Sequence, residues 1–247
     1  MPRELLPLMD TLNAYVDRLG RLIEIRKRFL DNAAHQLRTP LTVLKTQLSL
    51  AQRNAEPDQA GALLQAAHQT TEGAVRLTEQ MLALARVEHA REIHPAQSLD
   101  LVQLARQVTE SHALRAHQRG CDLGFDALVP SSQVSGVALL LQEAVANLID
   151  NALNHCPAGA HITTRVGPGW VEVEDDGPGI APAHQAHVWE RFYRAAPSGV
   201  VGSGLGLAIV REIALQHGAQ WRLQSPVKEG RGVAIRLSFV SEWPAGI

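Results

Sequence analysis

Cysteine is nearly missing from this chain: the 247 residues contain two, Cys121 and Cys156. They lie far apart and lack the CxxC spacing of zinc or redox sites, so neither a disulfide framework nor a thiolate metal centre is expected. Both read as buried spectators in a reducing compartment. Long apolar runs are also missing. None approaches the roughly 18 residues that a membrane span needs, and the opening MPRELLPLMD has no signal-peptide pattern, so the sequence as given reads as soluble. An excess of one charge sign is missing too. A formal net charge of -2 supplies no basic field for following a phosphate backbone, and nucleic acid is not an expected partner. An acidic or protein substrate stays open. Internal repeats and low-complexity tracts are lacking. What remains, 45% hydrophobic and 19% charged residues, is a globular balance, with length enough for two domains with real cores.

Apolar residues fall at coiled-coil spacing from Leu5 through Leu8, Leu12, Tyr15, Leu19 and Leu22, then from Leu30 through Ala33, Leu37, Leu41, Leu44, Leu48 and Ala51. This predicts one long helix, whose register slips where Arg26 takes a seam position. Glu56, Pro57 and Asp58 break it, and Leu63, Ala67, Thr70, Ala74, Leu77, Met81 and Leu84 resume the rhythm. Two helices cannot enclose a core alone, so the hairpin is expected to pair with a second copy as a four-helix bundle, making a homodimer. The rhythm is lost over 91–98, which reads as a linker. Beyond it, helical patterns cover roughly 99–119 and 137–155, strand-like runs are CDLGFDAL, ITTRV, WVEVED, WRLQS and VAIRLSF, and LGLAIVREIALQHG is a further helix. Helices and strands mix without strict βαβ alternation. The fold class expected is α+β, with a sheet covered on one face by helices.

Five segments carry residues suited to chemistry. In FLDNAAHQLRTPL, His35 lies between the seam positions Ala33 and Leu37, which puts its ring on the exposed flank, as a nucleophile for a bulky phosphate requires. Pro40 removes a helical hydrogen bond within two turns of it, which would bend the helix. Alone, His35 would be one of eleven histidines on solvated surfaces. In LQEAVANLIDNALNHCP, Glu143, Asn147 and Asn151 are spaced four apart on one helix face; alone, this is a polar stripe. VEVEDDGPGI ends a strand in Asp175, Asp176, Gly177, Pro178 and Gly179, a turn that permits close backbone approach by a ligand. VWERFYRA holds Phe192 and Arg194, otherwise a partly buried anchor. GSGLGLAIVREI places Gly202, Gly204 and Gly206 directly before a helix, where free amides and the dipole favour phosphate.

Together and in this order, these strings resemble the boxes of bacterial sensor histidine kinases over about Phe29 to Phe239. The resemblance implies residues 1–28 as a signalling helix, 29–90 as the dimerisation and histidine phosphotransfer domain, 99–241 as an α/β sandwich ATP-binding domain of the histidine kinase and chaperone ATPase type, and 242–247 as a tail. It implies His35 as phosphoacceptor, with Gln36, Arg38 and Thr39 beside it, Thr39 helping to place a water in dephosphorylation. ATP and Mg²⁺ are implied as cofactors: Asn147 as metal ligand, Asn151 and His155 as nucleotide contacts, Asp175 rather than Asp176 as the adenine partner, and Gly177 and Gly179 as its turn. Phe192 and Arg194 would anchor a lid between Ile180 and Gly202, disordered without nucleotide, and Gly202, Ser203, Gly204, Leu205 and Gly206 would meet phosphate. Gln36 departs from the commoner carboxylate. An amide orients the imidazole but takes no proton from it, which weakens kinase more than phosphatase chemistry; a subgroup with Gln here, including sensors of tricarboxylate uptake, is similar. The implied partners are a second copy and a cognate response regulator, and the implied full-length protein is anchored in the inner membrane, the alternative being a soluble kinase driven by another protein. A phosphatase or scaffold, suggested by Gln36, and a chaperone-type ATPase without phosphotransfer stay open.

Overall fold

The computed structural model describes residues 6–53, 57–93, 95–195, 203–228 and 230–239. They divide into two compact units, one through Leu77 and one from Thr78 onward.

The first unit is a helical hairpin. Helix α1 (Leu6–Arg53) runs unbroken through Pro40, and α2 (Pro57–Ile93) starts on a proline, a residue whose missing N–H costs nothing in a first turn. Ala33, Ala67 and Leu77 are buried between the two helices, and the Thr70 hydroxyl donates to Gln47 Oε1 at 3.1 Å. Leu41 and Leu48, seam positions in the sequence, stay 59% and 40% exposed. One hairpin therefore buries only part of its apolar surface.

The second unit opens with the last turns of α2, where Leu84 and Val87 are fully buried and the Gln216 amide donates to the Val87 carbonyl. The expected linker over 91–98 is corrected here. Helix α2 continues to Ile93, and β1 (Gln97–Asp100) pairs antiparallel with β3 (Gln133–Gly136). A strand as short and polar as QSLD carries too little alternation to be seen in sequence. It also sets up the next helix: Asp100 Oδ1 accepts the Val102 and Ser132 amides at 3.0 and 3.1 Å, capping α3 (Leu101–Gln118), a contact worth about 1 kcal/mol.

The main sheet has the order β2-β4-β5-β7-β6, formed by β2 (Asp122–Ala127), β4 (His161–Gly167), β5 (Trp170–Asp175), β6 (Gln220–Gln224) and β7 (Val233–Ser238). Only the β2–β4 pair is parallel. Ile162, Val166, Val171, Val173, Ile235 and Leu237 point to one side and are buried, covered by α3, α4 (Ala138–His155) and α6 (Gly206–Gln216). Each fully buried Leu or Ile contributes about 1.5–3 kcal/mol. The opposite side carries a row of directly paired charges, Asp126, Arg165, Glu172, Arg236 and Arg222, in which Glu172 is bound by Arg165 at 3.2 Å and Arg236 at 2.8 Å. This is the expected sheet covered on one face by helices.

Candidate functional site

Helix α4 is two-sided. Leu141, Val145, Leu148, Ile149 and Leu153 bury into the core, which leaves Asn147, Asp150, Asn151 and Asn154 along the opposite stripe, facing a cavity of about 420 Å³ within the second unit. Asp175 and Gly179 enter this cavity from the end of β5. Tyr193 and Arg194 enter from the segment after α5 (Pro182–Gln185), and Ser203, Gly204 and Gly206 from the start of α6. Segments from Asn147 to Gly206, distant along the chain, thus meet around one space.

Asp175 and Asp176 part ways. Asp175 lines the cavity, and its Oδ1 accepts the Gly177 amide at 2.9 Å. Burial pushes its carboxyl above the usual range, only partly offset by that amide and by the Cys156 thiol. Asp176 is exposed and bound to the backbone and ring of His161 at 2.8 and 3.1 Å. Cys156 is no buried spectator. It is half-buried, and its Sγ crowds Gly177 so closely that a Cβ there would sit 2.7 Å from it; burial, then the Asp175 charge, holds it a protonated thiol. His155 lines the cavity with its imidazole pushed down by burial and by the Arg194 charge, so it is neutral at neutral pH.

Gly204 sits at φ 70°, and any Cβ on it would fall 2.7 Å from the Phe192 carbonyl carbon. Only glycine fits there. Phe192, itself at φ 65°, donates its amide to the Gly204 carbonyl at 2.8 Å, so it shapes the rim without lining the cavity. The Ser203 hydroxyl takes the Leu205 amide at 3.1 Å and donates to Gln80 Oε1. The Leu205 side chain is fully buried in the core and does not line the cavity, contrary to the contact expected of it. Gly177 likewise supports the turn without lining the space. The first turn of α6 has no side-chain cap on Leu205, so its amides are open to an anion. Gly202 lies outside the described residues, as do 196–201 of the expected lid. The described part of that lid is structured, with α5 and the His184 Nδ1 to Tyr193 hydroxyl contact at 2.7 Å.

Asn147 offers a neutral side-chain oxygen, buried and beside Gly206, where a Cβ would lie 3.3 Å from it. That donor type suits Mg²⁺ carried in by phosphates and keeping most of its water. Asp150 was missed in the sequence, although it falls three residues after Asn147 on the same face; it is held by Arg115 of α3. Gln80, His184 and Tyr193 also line the cavity, and no local pattern marks the first two.

In the first unit His35 is exposed and Gln36 half-buried on α1. The Thr39 hydroxyl donates to the His35 carbonyl at 3.3 Å and Thr42 to the Arg38 carbonyl at 2.8 Å. His35, Arg38 and Thr39 therefore share one accessible turn, while Pro40 leaves the Gln36 carbonyl without its helical donor.

Residues 25–90 match the family described as His Kinase A (phospho-acceptor) domain, and residues 136–241 match the Histidine kinase-, DNA gyrase B-, and HSP90-like ATPase family. Sensor protein QseC of Salmonella typhi is 34% identical over 219 residues, covering 88% of this chain and 49% of that protein. The chain thus spans about half the length of the curated relatives it matches. The solved Mycobacterial sensor histidine kinase MprB is 32% identical, with a TM-score of 0.51 over 58% of this chain and 97% of that one. Histidine kinase ThkA, solved in complex with response regulator protein TrrA, has a likeness of fold alone: TM-score 0.70 and 19% identity over 98% of this chain and 68% of that one.

Proposed function

Because this chain belongs to the bacterial sensor histidine kinases, we propose that it is the catalytic region of one, phosphorylating His35 from ATP and passing the phosphoryl group to an aspartate of a response regulator. The observation that carries this reading is the convergence of Asn147, Asn151, His155, Asp175, Gly179, Arg194, Ser203, Gly204 and Gly206 on one cavity, in a chain that also presents an exposed helical histidine.

In this reading Asp175 accepts the adenine amino group, the open amides of α6 and Arg194 hold phosphate oxygens, and Asn147 and Asn151 orient the phosphate end. Mg²⁺, when bound with the nucleotide, neutralises charge on the transferring group. The His35 Nε2 lone pair attacks the γ-phosphorus, the bond from that phosphorus to the bridging oxygen breaks, and ADP leaves with the electron pair. The aspartate carboxylate of the regulator then attacks the same phosphorus, and the N–P bond returns its pair to His35. Gln36 holds the imidazole through its amide oxygen, and Thr39 places the water when the regulator is dephosphorylated. Leu41 and Leu48, left exposed on one hairpin, support a homodimer in which a second copy covers them. No described helix is long and apolar enough to cross a membrane; anchoring in the inner membrane is proposed for the whole protein by analogy with its longer relatives.

The test is incubation with γ-labelled ATP and Mg²⁺, comparing the parent with His35→Ala. Label that is acid-labile, alkali-stable and absent from the variant is expected. Label that persists in His35→Ala, or nucleotide hydrolysis without any label, would replace this reading with a phosphotransfer-free ATPase.

A further inference from the structure

Glu143 stands one turn before Asn147 on α4 and does not line the nucleotide cavity. Its carboxylate Oε1 nevertheless accepts a hydrogen bond from Asn147 Nδ2 at 2.9 Å, and its main-chain carbonyl accepts a second from the same nitrogen at 2.8 Å. Those two acceptors use both hydrogens of the amide. If the amide were turned over, Oδ1 would face two oxygens with no hydrogen between them, a repulsive arrangement. Asn147 is only 5% exposed, so water cannot rescue that orientation. The outcome is a fixed polarity: nitrogen toward Glu143, oxygen toward the cavity and the first turn of α6, 3.3 Å from where a Gly206 Cβ would be.

We infer that Glu143 is a positioning residue for the nucleotide site, setting the Asn147 amide so that its oxygen faces the Mg²⁺-phosphate group. The inference rests on the reading of Asn147 as the oxygen donor to that group. An ionised acceptor makes the hold stronger than a neutral one. A rigid, correctly turned donor also spares the metal the cost of ordering it on arrival. The role needs an acceptor atom at Oε1 and no proton transfer. It therefore separates Glu143→Gln, which keeps an acceptor oxygen, from Glu143→Ala and Glu143→Met, which remove it.

The experiment is calorimetric titration of the full chain with a non-hydrolysable ATP analogue, in Mg²⁺ and in EDTA, comparing the ratio of the two dissociation constants. Glu143→Ala and Glu143→Met are each expected to cut the Mg²⁺ enhancement about tenfold, the size expected for loss of a charge-assisted hydrogen bond, while affinity in EDTA stays put. Glu143→Gln is expected to keep most of the enhancement. Glu143→Met preserves bulk and helix propensity, so it reads the same effect if the alanine variant folds poorly. An enhancement intact in both Glu143→Ala and Glu143→Met overturns the inference, as does Glu143→Gln behaving like Glu143→Ala, or an equal loss of affinity in EDTA. Asn147→Ala separates the two levels: an enhancement that survives it removes the Asn147 reading and this inference together, whereas one lost there but intact in Glu143→Ala removes the inference alone.

Discussion

His112 Nε2 of α3 faces Asp150 Oδ1 of α4 at 3.4 Å, across the back of the helix stripe that lines the cavity of about 420 Å³. Its Nδ1 faces the Val108 carbonyl at 2.8 Å and the Ser111 hydroxyl at 3.1 Å. Both ring nitrogens thus point at acceptors, which favours the imidazolium. The Asp150 carboxylate raises the His112 pKa above its ordinary 6.5, against burial and the nearby Arg115 charge, which pull it down. On the other partner, burial pushes Asp150 up, but His112 and Arg115 together hold it below the usual carboxylate value. For a histidine raised on folding, the stabilisation is complete below 6.5 and fades as pH rises through the folded value. The stability lost in His112→Gln is therefore expected to be larger at pH 6 than at pH 8.5. Urea unfolding at the two pH values measures it, and an equal loss at both would contradict the charged pairing. The Asp150 contribution has the opposite sense, present above about 3.8 and lost as pH falls through its lowered folded value.

His217 is buried, 3% exposed, and works as a neutral ring. Its Nδ1–H donates to the Ile213 carbonyl at 2.8 Å, and its Nε2 accepts the Val137 amide at 3.1 Å. It thereby gives Val137, the residue just before α4, a partner for its own amide. His217→Leu leaves that amide unsatisfied in the core, and a loss of roughly 2–3 kcal/mol in unfolding free energy is expected. Equilibrium denaturation checks it; a loss below about 0.5 kcal/mol, the usual surface range, would mean that the amide finds another partner.

His217 shows where the sequence stops being legible. The Val137 amide bound to its Nε2 lies 80 positions away, a pairing no local pattern encodes. The helices and strands of the main sheet were readable because Ile162, Val173 and Ile235 alternate and α4 has a clear apolar stripe. The strands β1 and β3 were not, being short and mostly polar. In the site, Asn147, Asp175 and Gly204 announce themselves by spacing and turn chemistry. Gln80 does not, since its place on the cavity wall depends on how the end of α2 packs. Cys156 reads as an ordinary small hydrophobe until its Sγ is seen against Gly177 and Asp175.

Gly204 lends itself to a backbone test. At φ 70° with a Cβ clash of 2.7 Å on Phe192 backbone, Gly204→Ala must displace either the α6 entry or the turn that carries Tyr193 and Arg194. The left-handed conformation alone costs a non-glycine residue about 1–2 kcal/mol, so nucleotide affinity is expected to fall at least about tenfold. Titration with an ATP analogue reads this directly. Affinity within twofold of the parent would show that the segment relaxes without disturbing the cavity.

Gln36 carries the last prediction. Half-buried beside the exposed His35, its amide oxygen can accept the imidazole Nδ1–H and fix the ring, but it cannot take up charge as the imidazole becomes cationic on attack. A carboxylate at the same place would stabilise that charge and sharpen Nε2 as a nucleophile. The gain is limited, because phosphoryl transfer passes through a loose transition state that asks little of the attacking atom. Gln36→Glu is therefore expected to raise the initial rate of His35 labelling by about 3–10-fold, well below the 10²–10⁴ of full general-base catalysis, with the dissociation constant for ATP unchanged. Rates measured at saturating nucleotide isolate the chemical step from binding. An unchanged rate would show that Gln36 is no handicap to the nucleophile; a gain confined to subsaturating ATP would move the effect from the histidine to the nucleotide site.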